Sequence, residues 1–281
     1  MRHGWIAFLL LFGLLAAPAS AQVAAGSKSV SDGQVTATLT WQKGEIFAEH
    51  PALQITRAGA VAFDGKLEDR CQACNYLGDT DSALQVRDLD GDGEPEVLVD
   101  TFSGGAHCCT ITPIFRWDGV GGVGYRRLTQ NFGDIGYSLK DLDGDGRPEF
   151  VTADDAFAYE FTAYAFDEFP LQIFAYGTDR SGKTALRDVT AGYPKMVAAE
   201  AASFRREIPK ARHGGDPRGV IAAYVADLYR LDRRAQANAY LRSALRRGLL
   251  KSPFKDGPDL WPTQRKFIAA LKKFLKKHGY G

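Results

Sequence analysis

An acidic nonapeptide that occurs twice constrains the fold of this chain more than any other feature. The copies are Asp88-Leu89-Asp90-Gly91-Asp92-Gly93-Glu94-Pro95-Glu96 and Asp141-Leu142-Asp143-Gly144-Asp145-Gly146-Arg147-Pro148-Glu149. Carboxylates packed this closely repel one another unless a cation lies among them. Hard oxygen ligands at alternate positions, with glycine where the chain must turn sharply, are typical of a calcium loop. The repeat therefore predicts two Ca²⁺ sites, at residues 88–96 and 141–149.

The candidate ligands occupy the same positions in both copies. Positions 1, 3, 5 and 9 offer side-chain carboxylates, and position 7 offers its backbone carbonyl. An arginine at position 7 of the second copy supports this, because a guanidinium cannot coordinate calcium. The predicted metal sites are Asp88, Asp90, Asp92, Glu94 and Glu96 in the first copy, and Asp141, Asp143, Asp145, Arg147 and Glu149 in the second.

The loops differ from those of a helix–loop–helix EF-hand. That motif requires a bidentate Glu at position 12, followed by a helix. Here position 12 is Val99 or Thr152, and the exits 97–99 and 150–152 resemble strands. Magnesium is less suitable, because it prefers to retain several waters. One other interpretation stays open, solvated acidic turns without an ion. Where calcium binds, we expect it mainly to brace the fold, because the loops are saturated with protein oxygens.

An Asp-x-Asp-Gly-Asp-Gly-x-x-Glu loop between strands resembles the calcium loop of FG-GAP/VCBS-type repeats, found in integrin α chains and in many exported bacterial proteins. The interval from Asp88 to Asp141 is 53 residues, similar to one propeller blade of that family. The resemblance covers roughly residues 84–166. It implies four-stranded, propeller-blade-like units in which calcium braces the loop that joins two strands.

The rest of the chain predicts a mainly β N-terminal domain followed by an α-helical C-terminal domain. Short alternating segments with β-branched residues indicate strands; they are 35–41, 53–56, 97–99, 111–117, 161–166 and 171–176. Uninterrupted segments at 196–207, 220–231 and 233–247, and a last segment after Trp261-Pro262, indicate helices. We therefore predict a β domain over residues 22–190 and a basic helical domain over 191–281.

Residues 1–21 have the pattern of a signal peptide: a polar start, an apolar run from Ile6 to Ala17, and small residues before the expected cut after Ala21. No other stretch approaches the roughly 20 apolar residues that a membrane-spanning helix needs. The expected location is the periplasm or the medium, and the mature chain is not expected to span a membrane.

The four cysteines, Cys71, Cys74, Cys108 and Cys109, suit an oxidising compartment, where disulfides are the default. Adjacent strand residues point to opposite faces, so we expect Cys108 and Cys109 each to bond to the segment that contains Cys71 and Cys74. A redox pair at Cys71 and Cys74, and a zinc site that includes His107, are the alternatives.

Charge is distributed unevenly along the chain. From Met196 onward there are 19 Lys and Arg against 7 Asp and Glu, which leaves 16 against 27 before that point, although the formal net charge is +1. The basic helical region could bind an anionic envelope polymer or a protein partner, or could dock onto the acidic region. Nucleic acid is not an expected partner of an exported protein.

No residue is assigned a catalytic role. The segment from Ser103 to Cys109 holds a serine, glycines and His107, but lacks a nucleophile elbow. The acidic pairs Asp154-Asp155 and Asp167-Glu168 could serve a glycosidase, yet such pairs are more often exposed loop charges. The sequence thus predicts a non-enzymatic, exported calcium-binding protein that acts in binding or scaffolding in the cell envelope. The alternative is an envelope hydrolase with structural calcium and a catalytic loop around His107.

Overall fold

The computed structural model describes residues 23–68, 74–119, 124–179, 183–253 and 260–280. The predicted signal peptide, residues 1–21, and Cys71 lie outside these described residues. Strands occupy the first part of the described chain and helices the last part, as the sequence predicts. The assignment of residues 22–190 and 191–281 to separate domains stays a prediction.

Ten antiparallel strands form the larger sheet. They are β1 (Gly26–Asp32), β2 (Val35–Gln42), β3 (Ala48–Arg57), β4 (Ala60–Lys66), β5 (Tyr76–Leu77), β6 (Leu84–Arg87), β7 (Glu96–Val99), β8 (Thr101–Gly105), β9 (Cys108–Asp118) and β10 (Gly124–Asn131). The order is β1-β2-β3-β5-β8-β9-β7-β6, with β4 paired to β3 and β10 paired to β9. The strands alternate as expected: in β2, Val35, Ala37 and Leu39 are all buried.

Four more antiparallel strands form a second sheet, in the order β11-β12-β13-β14. They are β11 (Ser138–Lys140), β12 (Glu149–Ala153), β13 (Leu171–Thr178) and β14 (Thr184–Asp188). Both sheets are open, and the described residues form neither a closed barrel nor a propeller. The propeller-blade expectation is therefore wrong, because strands from both sides of the first acidic loop join one ten-stranded sheet instead of separate four-stranded blades.

The two sheets pack against each other through strand β7, whose four residues are all buried. Val97 and Val99 belong to a core formed within the first sheet. Leu98 lies in a second core with Ile114 of β9 and with Phe150 and Tyr176 of the second sheet. Burial on both faces explains why β7 is continuously apolar and does not alternate. Leu89 of the first acidic loop is also part of the second core.

Four helices follow the sheets: α1 (Pro194–Gly214), α2 (Arg218–Arg230), α3 (Arg234–Arg246) and α4 (Gln264–Lys277). The helices enclose a third core, the helical core, which contains buried residues of α1 to α4 together with Phe157 and Phe161. Helix α4 is amphipathic, and its apolar residues Phe267, Leu271 and Leu275 lie in this core. Its lysines are exposed. Among the described residues, no helix is both long and apolar enough to cross a membrane.

One predicted strand, at residues 161–166, is wrong. The segment forms a bend and a short 3₁₀ turn at Tyr164–Phe166. Phe161 packs in the helical core, and the next residue, Thr162, is buried and donates to Asp216 at 2.8 Å. A strand would direct these two neighbours to opposite faces of a sheet, whereas here both face the helices.

Candidate metal centres

Each acidic nonapeptide joins two neighbouring antiparallel strands. The first connects β6 to β7, where Arg87 pairs with Glu96. The second connects β11 to β12, where Lys140 pairs with Glu149. The last glutamate of each loop is thus the first residue of the exit strand, so the sheet fixes its position. The strand exits that the sequence predicts at 97–99 and 150–152 are confirmed.

The two loops fold in the same way. The carboxylate at position 1 accepts from the backbone N–H groups of positions 4 and 6: Asp88 from Gly91 and Gly93 at 2.8 and 2.9 Å, and Asp141 from Gly144 and Gly146 at 2.7 and 3.0 Å. The glycines have φ between +75° and +86°. Only glycine adopts this region at little cost, which explains both glycines of the motif.

Three carboxylates converge in each loop. Oxygens of Asp88, Asp90 and Glu96 lie within 4.8 Å of one another, and so do oxygens of Asp141, Asp143 and Glu149. These are positions 1, 3 and 9 of the motif. Hard cations such as Ca²⁺ take carboxylate oxygens as ligands, so each cluster could hold one.

The other predicted ligands have different partners. The Glu94 carboxylate accepts from the Arg57 side chain at 2.8 Å and from Gln34 at 2.9 Å. Asp92 pairs with Arg116 at 2.8 Å, and Asp145 forms an ion pair with Arg147. The acidic clusters therefore comprise only positions 1, 3 and 9, while a ligand role for positions 5 and 7 stays a prediction.

Several polar atoms in the first cluster and next to it are buried and have no hydrogen-bond partner. They are Asp90 Oδ1 and Glu96 Oε1 in the cluster, and Arg116 Nε and Tyr176 Oη next to it. The Glu96 side chain is only 1% exposed. Burial, with help from Asp90 and Asp92, raises the pKa of Glu96 to about 8. Burial likewise raises the pKa of Asp90, with Asp92 adding to the shift. Leaving a buried carboxylate oxygen unpaired is costly, and a bound cation would remove that cost.

The two clusters adjoin each other and differ in exposure. A Cβ on Gly91 would lie 3.2 Å from Cγ and Cδ of Arg147, so the loops are in contact. Asp141 and Asp143 are exposed, whereas Asp88 and Asp90 are half-buried. A cleft of about 380 Å³ opens beside the second loop and is lined by Asp143, Glu149, Arg187 and Tyr193, among others.

Sequence reasoning missed Arg116 and Tyr176. Both come from strands distant in sequence from the first loop, β9 and β13. Arg116 did leave a signal, because it interrupts the apolar run from Ile111 to Trp117 and a cation in such a position needs a partner. Nothing near Tyr176 in the sequence marks it as a neighbour of the loop.

The segment around His107 forms a hairpin in which Cys108 and Cys109 bond to each other. The expectation that they bond to the segment of Cys71 and Cys74 is therefore wrong. Burial still alternates at this pair, with Cys108 half-buried and Cys109 buried, so alternation does not determine which sulfur atoms bond. Cys74 is also disulfide-bonded.

The candidate catalytic groups have other partners. Ser103 Oγ accepts from the backbone N–H of Cys109 at 2.7 Å. His107 stacks on Tyr164, with ring centroids 4.0 Å apart. Asp154 accepts from Tyr280 at 2.7 Å, and Asp167 accepts from the backbone of Tyr159 at 2.6 Å. No described contact joins Ser103 to His107.

The helical part of the chain is similar to a known domain family. Residues 197–279 match the family model described as the sll0997 C-terminal domain. The described helices α2 to α4, and most of α1, lie in that range. The assignment of this chain to the FG-GAP/VCBS repeat proteins is therefore wrong, because the family model that matches is a different one.

Two curated proteins are also similar to part of this chain. The probable thylakoid lumen protein sll0997 of Synechocystis sp. is 31% identical over 146 residues, which is 51% of this chain and 42% of that protein. The uncharacterized protein y4bJ of Sinorhizobium fredii is 32% identical over 134 residues, 47% of this chain and 20% of that protein. The matched segment thus spans less than half the length of either relative. No solved structure matches.

Proposed function

We propose that this chain is a non-enzymatic calcium-binding protein in which two Ca²⁺ ions brace the two acidic loops. One observation carries the proposal: two nine-residue loops place the carboxylates of positions 1, 3 and 9 together in the same way. The buried, unpartnered oxygens of Asp90 and Glu96 support a cation in the first loop. The second loop repeats the hydrogen bonds of the first.

Calorimetric titration of the chelator-treated protein with CaCl₂ tests this proposal. We expect two ions per chain, and no comparable heat with MgCl₂, since Mg²⁺ gives up its water less readily. The double variant Asp90→Asn, Asp143→Asn should abolish the binding. A matched control is Asp64→Asn with Asp81→Asn, two exposed carboxylates outside the loops. Absence of heat with calcium for a folded wild-type protein would reject the proposal.

We further propose that the protein works in an extracytoplasmic, oxidising compartment, the periplasm or the medium. The disulfide-bonded cysteines and the signal-peptide pattern support this location. One relative is named a probable thylakoid lumen protein, and the thylakoid lumen is also a compartment outside the cytoplasm. Fractionation of cells that express the tagged chain should recover it outside the cytoplasm, with the segment before Gln22 removed.

The role that fits these features is a binding or scaffolding module of the envelope, with the basic helical region as the contact surface. The apolar face of α4 is occupied by its own core, so a contact would rely on charge. The exposed lysines of this helix are Lys266, Lys272, Lys273, Lys276 and Lys277. Attraction between such a cluster and a polyanion weakens with salt.

Retention on immobilised poly-L-glutamate tests the charge-based contact. Changing Lys272, Lys273, Lys276 and Lys277 to Gln should lower the salt concentration needed for elution. The control variant changes Lys43, Lys66 and Lys140, exposed lysines of the β region, to Gln, and should elute closer to the wild type. Equal retention of the two variants would contradict a contact through α4.

A further inference from the structure

Arg116 places a fixed positive charge against the first acidic loop. Its guanidinium reaches the loop from strand β9 and pairs with Asp92 at 2.8 Å. Its Nε lies 3.6 Å from Asp90 Oδ2 and 3.7 Å from Glu96 Oε1. Two of the three carboxylates that converge in this loop therefore already face a cation of the protein.

The cation beside the second loop is a different one and is more exposed. Among the described residues, no arginine or lysine from another strand or helix forms an ion pair with Asp141, Asp143, Asp145 or Glu149. Arg147 of the loop itself does pair with Asp145 and also attracts Asp143 and Glu149. Its side chain is 56% exposed, against 27% for Arg116, so water screens its charge more. Glu149 instead interacts with the hydroxyl of Tyr193. The two loops have the same backbone conformation but differ in the position and exposure of the neighbouring arginine.

Arg116 does not complete the first loop. Its Nε is too far from Asp90 and Glu96 for a hydrogen bond, and Nε, Asp90 Oδ1 and Glu96 Oε1 are all buried without one. The arginine thus reduces the repulsion among the carboxylates but leaves oxygens that a metal ion could still bind. A divalent ion that enters must be bound against the repulsion of the guanidinium, in a region where water screens little.

We propose that Arg116 makes the first loop the weaker of two calcium sites, and that the second loop fills first. This inference rests on the proposed function. At low calcium the guanidinium lies against Asp90 and Glu96 and keeps the first loop folded. At higher calcium the ion replaces it there, and Arg116 retains its hydrogen bond to Asp92. The protein would then respond to calcium in two steps.

Calorimetric titration of the full chain with CaCl₂ provides the test. For the wild type we expect two classes of site that differ in Kd by about tenfold or more, given the strength of charge interactions at such distances. Asp143→Asn should remove the tighter class, and Asp90→Asn the weaker. Arg116→Gln should tighten the weaker class by about tenfold and leave the other unchanged. Arg116→Lys, which keeps the charge, should stay close to the wild type.

Arg126→Gln is the matched control, since Arg126 lies on the neighbouring strand β10 and pairs with Asp118, outside both loops. A purely structural arginine would give the opposite result, weaker binding after Arg116→Gln. Weaker or unchanged calcium binding by Arg116→Gln would overturn the inference, and so would equal affinities of the two sites in the wild type. In both cases, two bound ions would still uphold the proposed function. If Arg116→Gln does not fold, the inference would be overturned if Asp90→Asn lost the tighter class of site instead of the weaker one. No calcium binding at all would reject both.

Discussion

At the scale of single residues, the last glutamate closes each loop, and Glu96 of the first loop has two tasks. Glu96 Oε2 accepts from the backbone N–H of Leu89 at 3.0 Å, and Glu149 Oε2 accepts from Leu142 at 2.9 Å. The other oxygen of Glu96 has no hydrogen bond. One oxygen of Glu96 therefore closes the loop onto its exit strand, and the other is available to a cation.

Replacement of Glu96 by Gln should separate these tasks. The amide oxygen can still accept from Leu89, but the ligand charge is lost. We expect the Tm in chelator to equal or exceed that of the wild type, and the gain in Tm on adding calcium to shrink. A site at 100 times its Kd contributes about 2.7 kcal/mol to the free energy of unfolding. Thermal melts with and without calcium measure this, with Glu45→Gln at an exposed residue outside both loops as control. An equal loss in both media would contradict a metal role.

Asp227 carries a buried carboxyl in α2, away from the loops. Its side chain is fully buried and shares a hydrogen bond with the carboxyl of Glu200. Burial, and then the neighbouring Glu200 of α1, raise its pKa, while Arg230 opposes the shift. Tyr280 also faces this group. A carboxyl in this position keeps its proton in the folded protein at pH values where the unfolded chain has lost it.

The free energy of unfolding should therefore fall as pH rises from about 5 to about 8, by up to about 1.4 kcal/mol per pH unit for one proton. The folded state binds more protons than the unfolded state over this range, so higher pH favours unfolding. Asp227→Asn should flatten the dependence, whereas Asp232→Asn, at an exposed residue, should not. Urea titrations at several pH values measure it. An unchanged slope for Asp227→Asn would show that the aspartate does not hold this proton.

The residue scale also shows how far a sequence can define a site. The motif spacing is sufficient to predict the converging carboxylates of positions 1, 3 and 9, because one short loop contains them all. The same spacing cannot show that Asp92 faces Arg116, or that Glu94 faces Arg57. Those contacts depend on which strands become neighbours in the sheet, and the partners lie 24 and 37 residues away along the chain.

At the scale of elements, helix α2 approaches the end of the β region very closely. A Cβ on Gly219 would lie 2.1 Å from the carbonyl oxygen of Phe166 and 2.9 Å from Cγ2 of Thr162. Next to it, the buried Arg218 forms an ion pair with the buried Asp216. Only glycine permits this approach, so residue 219 fixes how the helix lies against the 3₁₀ turn at Tyr164–Phe166.

Gly219→Ala should therefore destabilise the protein although alanine favours helices. Forcing a methyl group into a filled space costs about 1–3 kcal/mol, and here the obstacle is backbone. Gly214→Ala is the control: its Cβ would meet no atom within 4 Å, and alanine in a helix is better than glycine by about 0.5–1 kcal/mol. Chemical denaturation measures both. Equal stability of the two variants would show that α2 can move away from Phe166.

Element types followed well from local pattern, since alternation identified β2, β9 and β13 and the lysine-flanked apolar stripe identified α4. The pattern failed at 161–166 for a tertiary reason. Alternation of Phe161, Ala163 and Ala165 resembles a strand, but helices supply the partners of Phe161. Sheet order was not predictable either, because pairing of β3 with β5 or of β7 with β9 leaves no mark on the segments themselves.

At the scale of the whole molecule, the β and helical parts share a core. Phe157 and Phe161, which precede β13, pack among the helices with Phe267 and Phe274. Polar contacts add to this: Arg230 donates to the carbonyl of Leu171, and Trp261 Nε1 donates to the carbonyl of Tyr159 at 2.7 Å. Separation of the parts would expose large aromatic side chains, so the two should unfold together.

This shared core predicts that calcium bound in the β region also protects the helices. The helical circular dichroism signal at 222 nm and the near-ultraviolet aromatic signal should melt in one transition, and calcium should raise both midpoints equally, since a ligand stabilises every part that unfolds cooperatively with its site. The double variant Asp90→Asn, Asp143→Asn should lose that shift in both signals.

Phe161→Ala tests the shared core itself. It should lower both midpoints, because removing a buried phenylalanine side chain lowers the free energy of unfolding by about 3–5 kcal/mol. A helical signal that melts separately and ignores calcium would show that the aromatic contacts do not couple the two parts.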